Sequence, residues 1–173
     1  MRLLIANFDC QRIVTKEQVT NAIRRLPKSH YEGIQAIRYD PYRTLATTIS
    51  FLQNKASCTR TQGFYYHEKD MSVIIIFPFQ SLAEFYHILY HEIGHYVFLR
   101  TLDQGQRDHW MYKVRSWEKK WISEHAKQNS REDFAETYAF YCLSSPRLLA
   151  VPHKKNFFQD IVFGGSRFSH FIA

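Results

Sequence analysis

The sequence predicts an α+β fold. Its β-prone segments fall within residues 1–78 and all but one of its helical periodicities within 79–173, an order that separates a sheet from a helical half instead of alternating them. A chain of 173 residues that is 45% hydrophobic and 16% aromatic can bury one core, so a single domain spanning 1–173 is expected, strand-rich over 1–78 and helical over 79–173.

RLLIANF (2–8) reads as a strand and TKEQVTNAIRRL (15–26) as a helix, with Thr15 and Gln18 as a capping box, Val19, Ile23 and Leu26 as its apolar stripe and Pro27 as its stop. GIQAIRY (33–39) alternates as a half-buried strand does, and TLATTISFLQ (44–53) leans to strand through its Thr and Ile content. GFYYHEKDMSVIIIF (63–77) holds two β-prone runs around a polar turn, a hairpin whose second strand, SVIIIF, is apolar enough to be buried. The sheet is therefore mixed or antiparallel, with one helix. After Pro78, Ser81 and Glu84 form a second capping box, opening a helix that runs to about Leu102 and is apolar around most of its circumference, hence central. A third helix over 106–125 carries Trp110, Val114, Trp117 and Trp121 as a core stripe. A fourth, REDFAETYAFYCLS, is capped by Ser130 with Asp133 and closed by Pro146, and a short helix is expected at 154–163.

Composition excludes several classes. The longest apolar run, VIIIF, is far short of a membrane span, and the N-terminal stretch broken by Asn7 and Asp9 is no signal-peptide core. A cytoplasmic protein without a membrane partner is expected, with leaderless export as the other route. Cys10, Cys58 and Cys142 are too sparse for a disulfide framework or a thiolate metal cluster. The net charge of +7 is spread along the chain without a helix-turn-helix, zinc-finger or RNP pattern, so no nucleic-acid partner is expected.

The chemistry lies in YHILYHEIGHYVF (86–98). His91 and His95, four apart on the central helix, are about 6 Å apart along its axis and can converge on one Zn2+ ion, while Glu92 reaches a water on that ion. His87 shares their face but is about 12 Å along the axis from His95, so it is excluded from that ion. A catalytic zinc takes a third protein ligand from elsewhere. Glu132 and Glu136, again four apart, share one face of the fourth helix; one can ligate while the other orients a histidine through its free N–H.

HEIGH followed by EDFAE resembles the gluzincin zinc metallopeptidases, and within them is most similar to the catalytic domains of the anthrax lethal factor type and the Pro-Pro endopeptidases. The motifs cover about 20 residues, and the order of strand layer with hairpin, HExGH helix and glutamate helix extends the likeness over 33–145. The resemblance implies a small zincin-like domain, with Glu132 as the third zinc ligand and Glu136 as the carboxylate supporting the site from behind. Where the family places an oxyanion-stabilising tyrosine seven residues before the ligand glutamate, this chain has His125. His125 is the expected electrophile, with His109, Tyr112 and Tyr138 as competitors. The expected function is a zinc-dependent endopeptidase acting on a peptide or protein substrate, with Glu92 as general base; the alternative is a catalytically silent zincin-fold regulatory or binding protein.

Overall fold

The capping box at the N-terminus forms as the local pattern requires. The Thr15 hydroxyl accepts from the Gln18 backbone N–H, the Gln18 side chain accepts from the Thr15 N–H, and helix α1 (Lys16–Arg24) starts there, burying Val19, Ala22 and Ile23. The computed structural model describes residues 3–44 and 62–165; the strand expected over 44–53 falls, apart from Thr44, outside them, as does Cys58.

Strands β1 (Leu4–Ala6), β2 (Ala36–Tyr39), β3 (Gly63–Glu68) and β4 (Met71–Ile76) make a mixed sheet in the order β1-β2-β4-β3. β1 and β2 are parallel, joined across α1; β2 and β4 are also parallel; β3 and β4 are the expected antiparallel hairpin, its turn placing Lys69 in the left-handed region at φ 51°. Ile74, Ile75 and Ile76 are buried, as a strand covered on both faces demands of its sequence. Among the described strands, β3 lies at one edge of the sheet.

The α+β layout holds in the second half, with several corrections of detail. Helix α2 (Leu82–Tyr96) runs on through a π-helical turn, Val97–Thr101, to the expected end near Leu102. Only half of its capping box forms: the Ser81 hydroxyl accepts from Glu84 N–H, but the Glu84 carboxylate accepts from the Gln80 N–H and the Gln62 amide. Helix α3 (Gln104–His109, continued by a π-helical turn Trp110–Val114 and by Arg115–Trp117) ends well before residue 125. Glu118 leaves it in extended conformation (φ −86°, ψ 123°), and its carboxylate accepts from the backbone N–H groups of His153 and Lys154. The tryptophan stripe is cut accordingly: Trp110 and Val114 are core, but Trp117 is 54% exposed and Trp121 lies beyond the helix.

Helix α4 (Ser130–Cys142) is capped one residue earlier than expected, by Asn129, whose side chain accepts from the N–H groups of Arg131 and Glu132. Asp133 is no cap; it is buried against Lys154. Helix α5 (Pro152–Phe157, continued by a π-helical turn Phe158–Val162) begins two residues before the expected start, with Pro152 in its first turn, where a missing N–H costs nothing. No helix among the described residues is long and apolar enough to cross a membrane.

α2 and α4 pack antiparallel and close. A Cβ on Gly94 would stand 2.9 Å from the Ala135 Cα and 3.1 Å from the Tyr138 Cβ, so the glycine of HEIGH and the small alanine of EDFAE are what let the two helices touch. Gly94→Ala forces backbone apart from backbone. Despite its better helix propensity, it should lower unfolding stability by about 1–3 kcal/mol in urea titration, as overpacking does. An unchanged midpoint would show that the helices part freely.

Candidate metal centre

The antiparallel pairing of α2 and α4 turns two four-residue periodicities into a ladder. His87, His91 and His95 descend one face of α2, and Phe140, Glu136 and Glu132 ascend the facing stripe of α4. At its lower rungs three donor atoms meet. His91 Nε2 and His95 Nε2 are 3.1 Å apart, and Glu132 Oε2 lies 3.2 Å from the first and 3.4 Å from the second. Ligand atoms at zinc distances of about 2.0–2.1 Å and tetrahedral angles stand about 3.3 Å from each other, so the triangle fits such an ion. Among the described residues, His91, His95 and Glu132 form one of two groups able to hold a metal; the other is His87, His91 and Glu136.

The electrostatics agree with the geometry. Burial works against charge on His91, yet hydrogen bonds to Glu132 and Glu136 outweigh it and push the imidazole up to about 10. Burial likewise opposes ionisation of Glu132 and Glu136, but His125, His91 and His95 around the first, and His87, His91 and Ser123 around the second, hold both below the ordinary carboxylate range. The cluster is built to surround positive charge. His91 Nδ1 lies 2.8 Å from Glu136 Oε1; with a proton kept there, a cation that displaces the Nε2 proton would meet a lone pair facing His95 and Glu132.

Glu92, one residue round the helix from His91, lies beside the triangle on the β3 side, 5% exposed, and takes a hydrogen bond from the Tyr65 backbone N–H of β3. Burial raises its carboxyl above the ordinary value, with His91 and His95 opposing. β3 comes this near because residue 63 is glycine: a Cβ there would meet Glu92 Oε1 at 2.7 Å. The edge strand and the ladder wall a cleft of about 1160 Å³ that His87, His91, Glu92, His95, His125 and Glu132 line from the helical side.

His125 arrives from the segment before α4. Its Nε2 lies 2.9 Å from Glu132 Oε2, its side chain is 44% exposed, and that hydrogen bond is the largest influence raising its imidazole. Its competitors stand elsewhere. His109 packs against Trp117 and Phe157, Tyr112 is 70% exposed on α3, and the buried Tyr138 hydroxyl is hydrogen-bonded to His30 Nδ1. Sequence reasoning missed two partners. One is His87 on Glu136 (3.1 Å), which an i, i+4, i+8 histidine run facing two glutamates four apart could have signalled. The other is the Lys154–Asp133 pair behind α4, for which the adjacent lysines of PHKKNF give no signal.

No protein-family model and no curated protein matches the sequence. Among solved structures, the fold is similar to a provisionally assigned zinc-binding metallo-peptidase from Bacteroides caccae, at TM-score 0.39 and 9% identity over 95% of this chain and 72% of the other. A likeness this distant carries no argument about function.

Proposed function

We propose that the protein is a zinc-dependent endopeptidase of gluzincin type, and the observation that carries this reading is the His91–His95–Glu132 triangle with Glu92 beside it. In this reading His91 Nε2, His95 Nε2 and Glu132 hold the ion, and Glu136 orients His91. Bound zinc supplies a Lewis acid that polarises the scissile carbonyl and lowers the pKa of its water to about 7. The Glu92 carboxylate accepts a proton from the attacking water and returns it to the leaving nitrogen, a role favoured by burial that raises its basicity. His125, on the open side of Glu132, serves as donor to the developing oxyanion, its Nε2–H turning from Glu132 Oε2 to the substrate oxygen. The peptide adds to β3, the edge of the sheet among the described strands, by backbone pairing.

In the closer likeness to the lethal factor and Pro-Pro endopeptidase domains, His125 is the departure: it stands seven residues before Glu132, where the family has a tyrosine, with its Nε2 2.9 Å from Glu132 Oε2. The test is metal content after gentle desalting. Wild type should carry about one zinc per chain, and Glu132→Ala should lose affinity by more than the about 100-fold that marks the upper range for changes behind the ligands. A folded wild type that takes up no zinc would end the peptidase reading.

A further inference from the structure

Glu136 is almost fully buried, its side chain 7% exposed, and its Oε1 receives two imidazoles: His91 Nδ1 at 2.8 Å and His87 Nε2 at 3.1 Å. The Ser123 hydroxyl also donates to this carboxylate. One of these donors, His87, is neither ligand nor base in the zinc site. It stands one turn before His91 on α2, too far along the helix to share the ion between His91 and His95, since two turns span about 11 Å.

We propose that His87 is a positioning residue for the metal centre: its Nε2–H fixes Glu136 Oε1, and through that oxygen fixes the His91 ring so that Nε2 faces His95 and Glu132. This rests on the zinc reading of the site. The terminal torsion of a glutamate is soft and broadly populated, so a carboxylate held only by His91 and the Ser123 hydroxyl would leave the His91 ring room to swing with it. A second donor on the same oxygen, carried on the same helix as His91, removes that freedom. His87 is itself held, its ring edge-to-face with Phe140 at 5.0 Å and 62°, one turn beyond Glu136 on α4. A carboxylate held on Nδ1 also makes the opposite nitrogen a stronger ligand. Because the His87 side chain is 28% exposed at the cleft wall, replacing it strands no deeply buried ring position.

The test is zinc affinity by competition with a chromogenic chelator at fixed pH on wild type, His87→Phe and His87→Gln, with urea unfolding of the metal-free chains alongside. His87→Phe, which keeps an aromatic ring against Phe140 and loses the donor, should weaken zinc by about 10-fold, the lower range for partners that orient a ligand. His87→Gln, which keeps an N–H donor, should recover most of that loss, a rescue that a packing role would not show. Equal affinity in wild type and His87→Phe overturns the proposal while leaving the zinc site intact. So does a wild type that binds two zinc ions where His87→Phe binds one, because His87 would then be a ligand alongside Glu136. A wild type that binds no zinc instead overturns the site reading itself.

Discussion

Hydrolysis by a Glu92→Gln variant should fall by about 10²–10⁴-fold in kcat, the range for losing a positioned general base, while its zinc content and unfolding midpoint stay at wild-type values. The amide matches the carboxylate in shape, so the tight fit against Gly63, where even a Cβ would collide with Oε1, is preserved. What the variant loses is the ability to accept a proton. The Tyr65 N–H can still be accepted by the amide oxygen, which keeps the side chain in place beside β3. Glu92 lies within the HEIGH turn but outside the donor triangle, so metal retention separates a base from a ligand. Measured on peptides that the wild type cleaves, undiminished turnover in Glu92→Gln would remove this residue from the chemistry. Loss of zinc along with activity would make it part of the binding cluster instead.

Much of this site was legible because its signals are local. The Thr15 and Gln18 box, the apolar SVIIIF run and the HEIGH helix each depend on residues within a few positions of one another, and each formed as expected. His91 and His95 were legible from helical periodicity, and zinc's need for a third ligand pointed to Glu132 or Glu136; it was the resemblance that implied Glu132, and the structure brings His91, His95 and Glu132 within one triangle. Illegible were the features decided by packing. Asp133 carries the sequence mark of a helix-capping acid, but Asn129 takes the cap and Asp133 turns inward, because a lysine from the far C-terminal helix arrives there. Helix α3 has the periodicity to continue, yet stops at Trp117 because Glu118 is drawn to the N-terminus of α5. Helical spacing alone keeps His87 from the ion between His91 and His95; which carboxylate it meets depends on the antiparallel register of α2 and α4, and no single-helix pattern contains that.

The Lys154–Asp133 pair predicts the largest stability effect in the molecule. Both side chains are fully buried, Lys154 Nζ lies 2.7 and 2.9 Å from the two Asp133 oxygens, and the ammonium sits over the Trp121 ring at 4.7 Å. Asp133 also faces Arg115 Nε at 3.5 Å, too long to replace the lysine's two hydrogen bonds. Lys154→Met keeps most of the volume and leaves a carboxylate buried with its main partner gone. It should cost about 3–5 kcal/mol in urea unfolding, the usual penalty for stranding one member of a buried pair. Adding Asp133→Leu should return much of that loss, since two apolar side chains need no compensating charge. The exposed Lys119→Met serves as control and should stay within about 0.5 kcal/mol. The pair fastens α5 to the back of α4 at the residue after Glu132, so the front of that first turn can be given to the donor triangle while the back carries the packing. If the double variant is no more stable than Lys154→Met, the cost lies in lost packing around the tryptophans, and Asp133 holds no charge that needed an answer.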